Sequence, residues 1–297
     1  MSVTDVLKES LHYPFIEKEK IIILGIFYAL ISAINLGISY LISTPLMTSS
    51  SSTLINETAT TFYQQINHIF AQIPTTNLYE SIILGIVMIL LGILATGYDY
   101  RVIKEAINKN NFLPKFNNFL LMFIEGLKIT VVEIAYDILP IILLVTGFYI
   151  MTYGGIFLTI GSILSCVGII CAILMVLIQI MAINHMIAND GKITFAFKVK
   201  DILNIINSIS WIRYIGALFM LVIICVIIGI AASMIISFIM LGVMMISSQV
   251  ILTSLVTLVI MGLFITPFLS LFCDRTLGSL YNERVKDLNV DEKYIIK

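Results

Sequence analysis

This sequence carries little charge. Asp, Glu, Lys and Arg make up 12% of its 297 residues, against roughly a quarter in an ordinary soluble domain. Apolar side chains fill 59%, and a soluble fold could not hide that much, because a large share of any globule's atoms must face water. Metal-ligating residues are few and scattered. The four cysteines, Cys166, Cys171, Cys225 and Cys273, form no CxxC pair, and His12, His68 and His185 lie far apart. A zinc site is therefore not expected, and the cysteines read as small buried apolar side chains. No basic helix or aromatic–basic platform occurs, which argues against a nucleic-acid partner. P-loop, GxSxG, HExxH and GxGxxG patterns are missing as well. No catalytic, cofactor or metal site is expected, and the chain does not read as an enzyme.

What the sequence has is long apolar runs. A helix needs about 20 mainly apolar residues to cross a hydrocarbon core about 30 Å thick. Residues 21–43 and 81–97 each satisfy this once. The first is too long for a cleavable signal and lacks a small-x-small exit, so it reads as a retained anchor. Residues 138–183 contain no charged side chain. As one helix they would reach roughly 69 Å at about 1.5 Å per residue, so they must fold back, and Tyr153-Gly154-Gly155 is the natural place. Residues 214–273 must likewise reverse, near 242–249, where Ser247, Ser248 and Gln249 break the apolar run. The expectation is an all-α polytopic membrane protein forming a single membrane domain over 1–297. Its six spans fall at about 20–43, 79–98, 130–152, 156–183, 213–239 and 250–272. The runs are continuous rather than alternating, which excludes a β-barrel.

The cations test that count. All 17 Lys and Arg fall into the N-terminal segment, residues 101–128, 192–213 and 275–297, and none lies in 44–80, 150–157 or 240–250. Six spans put every one of them on one side. Basic residues near span ends favour the cytoplasm, so the expectation is a cell-membrane protein with both termini inside, an extracytoplasmic loop at 44–78 and a cytoplasmic tail at 273–297.

Amphipathic segments are expected before each odd-numbered span. Val3, Leu7, Leu11 and Phe15 recur at helical spacing before the first. Phe116, Leu120, Phe123 and Leu127 do so before the third, with Pro114 suited to a helix start. Phe195, Val199, Ile202, Ile206 and Ile209 form a stripe before the fifth, opposite Lys198, Asp201, Asn204 and Asn207. Such segments either lie in the headgroup plane or dock on the inner face of the bundle, and they suggest a threefold repeat of amphipathic segment plus helical hairpin. In the outer loop, 44–61 is rich in Ser and Thr. Phe62, Ile66, Ile69, Phe70 and Ile73 are spaced for a short surface helix, and Asn56-Glu57-Thr58 is a glycosylation sequon. Gly161, Ser165, Gly168 and Ala172 in span four, and Gly229, Ser233 and Ser237 in span five, are small-residue stripes suited to close helix packing.

Among ionisable groups, Glu133 and Asp137 stand four apart and so share a helical face. A charge deep in lipid costs about 2.5–3.5 kcal/mol on insertion scales, and such residues usually mark ion or proton paths. Two neighbouring carboxylates hinder each other's ionisation, and Pro140 could kink the helix and free a carbonyl beside them. The alternative places both in the interface, paired with Lys128 or Arg101. Asp99/Arg101 and Asp274/Arg275 flank span ends and read as interfacial anchors. Asn184 and His185 close span four before the turn Asn189-Asp190-Gly191.

The stretch from Gly97-Tyr98 through Arg101, Leu113-Pro114, Phe116 and Gly126-Leu127-Lys128 to Tyr136 and Pro140 resembles a prokaryotic membrane-protein family, domain of unknown function 4013. A second patch, Phe195-Ala196-Phe197 leading through Ile202 and Leu203, carries the same resemblance, which extends from Leu11-His12-Tyr13-Pro14 to the end of span six. It implies a cell-membrane location and supplies no activity. The 44–78 loop is longer than that family leads one to expect. The functional expectation is a non-enzymatic scaffold or accessory subunit, in contact with membrane lipids and with a membrane-protein partner or further copies of itself. The rival is a small permease or channel using Glu133 and Asp137. A lipid-modifying enzyme, built from Asp99, Arg101, His185 and Asp274, ranks last.

Overall fold

The computed structural model describes residues 3–49, 73–246 and 250–295, with side chains over 4–43, 73–243 and 254–282. Among the described residues the fold is all-helical. A short helix α1 (Val3–His12) leads through a 3₁₀ turn (Tyr13–Phe15) into α2 (Lys18–Ser49). Then come α3 (Thr75–Ile107), α4 (Phe119–Met151) and α5 (Ile156–Ala188). A second 3₁₀ turn (Ile193–Phe197) precedes the short α6 (Val199–Ile209) and the long α7 (Trp211–Ile246). The last rod is α8 (Val250–Ile260), a π turn (Met261–Ile265) and α9 (Thr266–Ile295). Six stretches are long and apolar enough to cross a membrane: Lys18–Ser43, Thr75–Ile107, Phe119–Met151, Ile156–Ala188, Trp211–Val243 and Ser254–Asn282.

The helices outrun the expected spans: α3, α4, α5 and α9 do so chiefly at the end that carries the cations, and α2 and α7 chiefly at the other. A 33-residue helix reaches about 50 Å, some 20 Å more than a hydrocarbon core of about 30 Å needs. The overhang is where the chain packs best. Tyr98, Tyr100, Val102 and Ile103 of α3 are buried, as are Met122, Ile129 and Val132 of α4 and Met181, Ala182, Met186 and Ile187 of α5. Tyr214 and Ala217 of α7 and Leu271, Phe272 and Tyr281 of α9 complete this core. Toward the far end, side chains such as Ile83, Ile86, Val145, Ile170 and Phe238 are exposed, as befits helices solvated by lipid.

The first fold-back lies where Tyr153-Gly154-Gly155 places it. Gly154 and Gly155 take φ of +69° and +55°, which a side chain would resist. The second falls between Ile246 and Val250. Residues 50–72, with the Asn56 sequon and most of the 62–73 helix, lie outside the described residues, although α2 itself continues to Ser49.

Two of the three amphipathic segments exist as separate helices, both docked on the bundle. On α6 the buried face is Ile202, Ile205, Ile206 and Ile209, whereas Val199 is exposed. On α1 it is Val6, Leu7 and Ser10, and Leu11 and Phe15 are exposed, so the face is rotated from the expected one. The third segment is not separate, which removes the threefold repeat. α4 runs unbroken from Phe119, with Asn118 before it at φ +51°. Pro114 starts no helix, because residues 114–118 are held as a loop by α3: Tyr98 donates to the Pro114 carbonyl at 3.2 Å, and Phe116 stacks on the Tyr98 ring at 4.0 Å.

Of the two small-residue stripes, one packs within the chain. A Cβ on Gly147 of α4 would strike Ser165 and Gly161 of α5, and one on Gly168 would meet Leu144 at 3.0 Å. The span-five stripe does not. Gly229 has nothing within 4 Å of where its Cβ would stand, Ser233 and Ser237 are exposed, and their hydroxyls bond back to their own helix. α7 is fastened chiefly near the cation-bearing end, by Tyr214 to the Leu177 carbonyl at 2.7 Å and by Leu221 against Leu7 and Phe272.

Candidate functional site

Hydrocarbon offers polar groups no partners, so the polar side chains gather at the cation-bearing end and find each other there. Three knots tie the loops to the helices. In the first, Arg101 pairs with Glu125 at 2.6 Å and donates to the Lys115 and Asn117 carbonyls at 3.2 and 2.8 Å. Beside it α3 and α4 nearly touch, since a Cβ on Gly97 would run into the Met122 carbonyl and one on Gly126 into that of Ile93.

The second knot is centred on Arg275, only 2% exposed. Its guanidinium donates to the Asn110 carbonyl at 2.5 Å, to Glu9 at 2.9 Å and to Asn111 at 2.6 Å, with its carbon 4.7 Å from the centre of the Tyr13 ring. One side chain thus joins α1, the 108–111 turn and α9. Burial holds the Tyr13 phenol well above its ordinary range, and the Arg275 charge offsets part of this.

In the third knot, Tyr136 donates to the Ala196 carbonyl at 2.7 Å and stacks on Phe197. His185 Nδ1 lies 2.8 Å from the Tyr281 hydroxyl, and its ring meets Phe195 edge-on. Lys198 sits 3.9 Å above that same Phe195 ring.

A layer of carboxylates lies just inside these knots. Ser270 donates to Asp99 at 2.8 Å and stands 3.4 Å from Asp274, while Tyr28 donates to Ser270 at 3.1 Å. Asp99 and Asp274 each sit about two turns inside the cation-bearing end of their span, eight residues before Ile107 (107 − 99) and before Asn282 (282 − 274). In sequence the two stand as separate interfacial anchors. The signal that could have joined them is their equal depth, each followed closely by an arginine.

Glu133 and Asp137 are half-buried on one face of α4. Among the described residues neither makes a hydrogen bond or an ion pair. The expected partners are engaged elsewhere: Arg101 is held by Glu125, and Lys128 reaches the turn at Gly191. Glu133 lies within electrostatic reach of Asp137, Asp99 and Asp274, so spans two, three and six bring acidic residues near one another. α4 continues through Pro140 without a break. The interruption falls in span six, where the π turn lies against α2: Gly262 meets Ala29, and Gly25 meets the Leu263 carbonyl. π turns recur at functional positions in helices. No group of three or more His, Cys, Asp or Glu placed to hold a metal ion occurs among the described residues.

Six apolar helices, their loops knotted at one end, define a polytopic helical membrane protein. The chain belongs to the family described as Protein of unknown function (DUF4013), whose pattern matches residues 81–237. That match takes in the first knot, the third knot apart from Tyr281, and both resembling patches, but not Leu11-His12-Tyr13-Pro14 or span six, so it is narrower than the sequence resemblance suggests. No curated protein and no solved structure matches the chain.

The first knot makes a prediction. Arg101→Ala leaves Glu125, itself largely buried, without its cation, at a cost of about 3 kcal/mol. The thermal midpoint of the purified protein should fall, and Glu125→Ala added to Arg101→Ala should recover part of the loss. A midpoint unchanged in the single variant would show that the pair contributes little.

Proposed function

We propose that this protein is a non-enzymatic scaffold or accessory subunit of the cell membrane, with its cation-bearing end and both termini in the cytoplasm. The orientation is supported by the gathering of the described Lys and Arg at one end of the bundle. The scaffold reading is supported most by α7. Its outer two thirds carries an apolar surface broken by Gly229, Ser233 and Ser237, and among the described residues nothing packs on that stripe. The same residue types on α5 are buried against α4. Small residues let transmembrane helices approach closely, so the free stripe suits a helix from another chain, whether a partner protein or a second copy.

A cross-linking experiment tests this. In a background without the native cysteines, Ser233→Cys chains in native membranes should give a defined cross-linked species with a bifunctional thiol reagent, and Gly229→Leu should reduce it at least fivefold. A monomer alone, or Tyr153→Cys cross-linking just as well as Ser233→Cys, would remove the scaffold reading.

The second reading is a small permease or channel for an ion, metabolite or lipid. It is favoured by Glu133 and Asp137, which pair with none of the described residues, by the reach of Glu133 to Asp99 and Asp274, and by the π turn in span six. Intramembrane carboxylates of this kind serve proton and cation paths. Proteoliposomes should then show a proton or cation flux that falls at least tenfold in Glu133→Gln with Asp137→Asn. Equal flux in variant and wild type, or none in either, would eliminate this reading.

A further inference from the structure

The second knot encloses more than a structural arginine. Next to Arg275 lies a pocket of about 200 Å³ at the cation-bearing end, whose walls are Val6 and Ala106 on the apolar side and Glu9, Lys109, Asn111, Ser279, Asn282 and Arg275 itself on the polar side. Three of the guanidinium's donor directions are used, toward the Asn110 carbonyl, Glu9 and Asn111. Its Nε is buried and has no acceptor among the described residues. An unpartnered N–H in so buried a group calls for an ion, a water or a ligand.

The other walls point to the same chemistry. Lys109 projects from the 108–111 turn with φ +58°, and no described carboxylate pairs with it. Glu9 is already engaged by Arg275. The Asn111 oxygen is taken by Arg275, which leaves its amide N–H groups as donors, and the Ser279 hydroxyl has no partner among the described side chains. Two cations against one carboxylate leave a net charge of +1, and the uncommitted groups are mainly donors. A donor-rich, positive pocket suits a tetrahedral oxyanion, which arginine and lysine bind through charge-assisted hydrogen bonds. Asn282, whose amide donates to the Ile107 carbonyl, fixes the wall where α3 ends.

We propose that this pocket binds a phosphate-bearing ligand, held by Lys109, Arg275, Asn111 and Ser279. The phosphate belongs either to a small soluble ester or to a lipid headgroup, because the pocket lies where the apolar part of α3 gives way to the polar turn. The site joins α1, the 108–111 turn and α9, so its occupant stiffens the contact between the first and last helices of the chain. The proposal stands apart from the scaffold and permease readings, since it requires neither.

The test uses the full-length protein in detergent, with thermal midpoints and calorimetric titration against inorganic phosphate, glycerol 3-phosphate and short-chain phosphatidylglycerol, each at ionic strength matched with chloride. At least one probe should raise the midpoint saturably. Lys109→Ala should weaken that binding at least tenfold and Ser279→Ala severalfold, with ligand-free midpoints close to wild type. Response to the soluble probes identifies a free ester, and response to the short-chain lipid alone identifies a headgroup. If no probe binds saturably, or if Lys109→Ala and Ser279→Ala bind as wild type does, the proposal is wrong.

Discussion

Hydrocarbon satisfies no polar group, and most of this architecture follows from that. Each apolar rod closes its backbone bonds within itself, and the few charged side chains collect where the rods emerge. α3, α4 and α5 extend up to about 20 Å beyond the core at that end, and the overhang holds the best-packed part of the protein. Tyr98, Tyr136, Arg101 and Arg275 all bond to loop carbonyls there. Each loop carbonyl so engaged is spared the penalty of burial without a partner.

Within the lipid-facing length the packing is uneven. α4 and α5 meet through glycines and a serine, and α2 meets span six through Gly25 and Gly262. α7 buries Ala232 and Ile236 along its middle, but among the described residues nothing packs on its Gly229, Ser233 and Ser237 face. A bundle tied at one end and loose on one flank suits a protein that completes itself with another helix. The carboxylate layer, lying between the knots and the apolar region, is the feature that fits this picture least and the permease picture best. Partly buried acids without cations are costly, and chains retain them where they act.

Much of the fold was legible because charge and hydropathy are long-range constraints in a membrane. Parity followed from the cations, and the first fold-back from two adjacent glycines in a run too long for one crossing. The register of short amphipathic helices was less legible. On α1 the buried face includes Ser10 and excludes Leu11, because neighbouring helices, not hydrophobicity alone, choose the face. The stretch around Phe116 looked like a helix because its apolar spacing is helical, yet the Tyr98 ring and hydroxyl hold it as a loop. Least legible were the pairings. Ser270 with Asp99 and Arg275 with Asn110 join residues more than 160 positions apart, and no local pattern encodes them. Glu133 and Asp137 could be marked as unusual from their place in the sequence, but the reach of Glu133 to Asp99 and Asp274 emerges only in three dimensions.

The central claim is that the knotted, cation-bearing end is one face of a six-span bundle and lies in the cytoplasm. Labelling of intact cells with a membrane-impermeant thiol reagent tests it most directly, using Asn108→Cys and Tyr153→Cys in a chain otherwise free of cysteine. Tyr153→Cys should react from outside, and Asn108→Cys only after the membrane is opened. Reaction of Asn108→Cys in intact cells, or protection of Tyr153→Cys until lysis, would contradict the account.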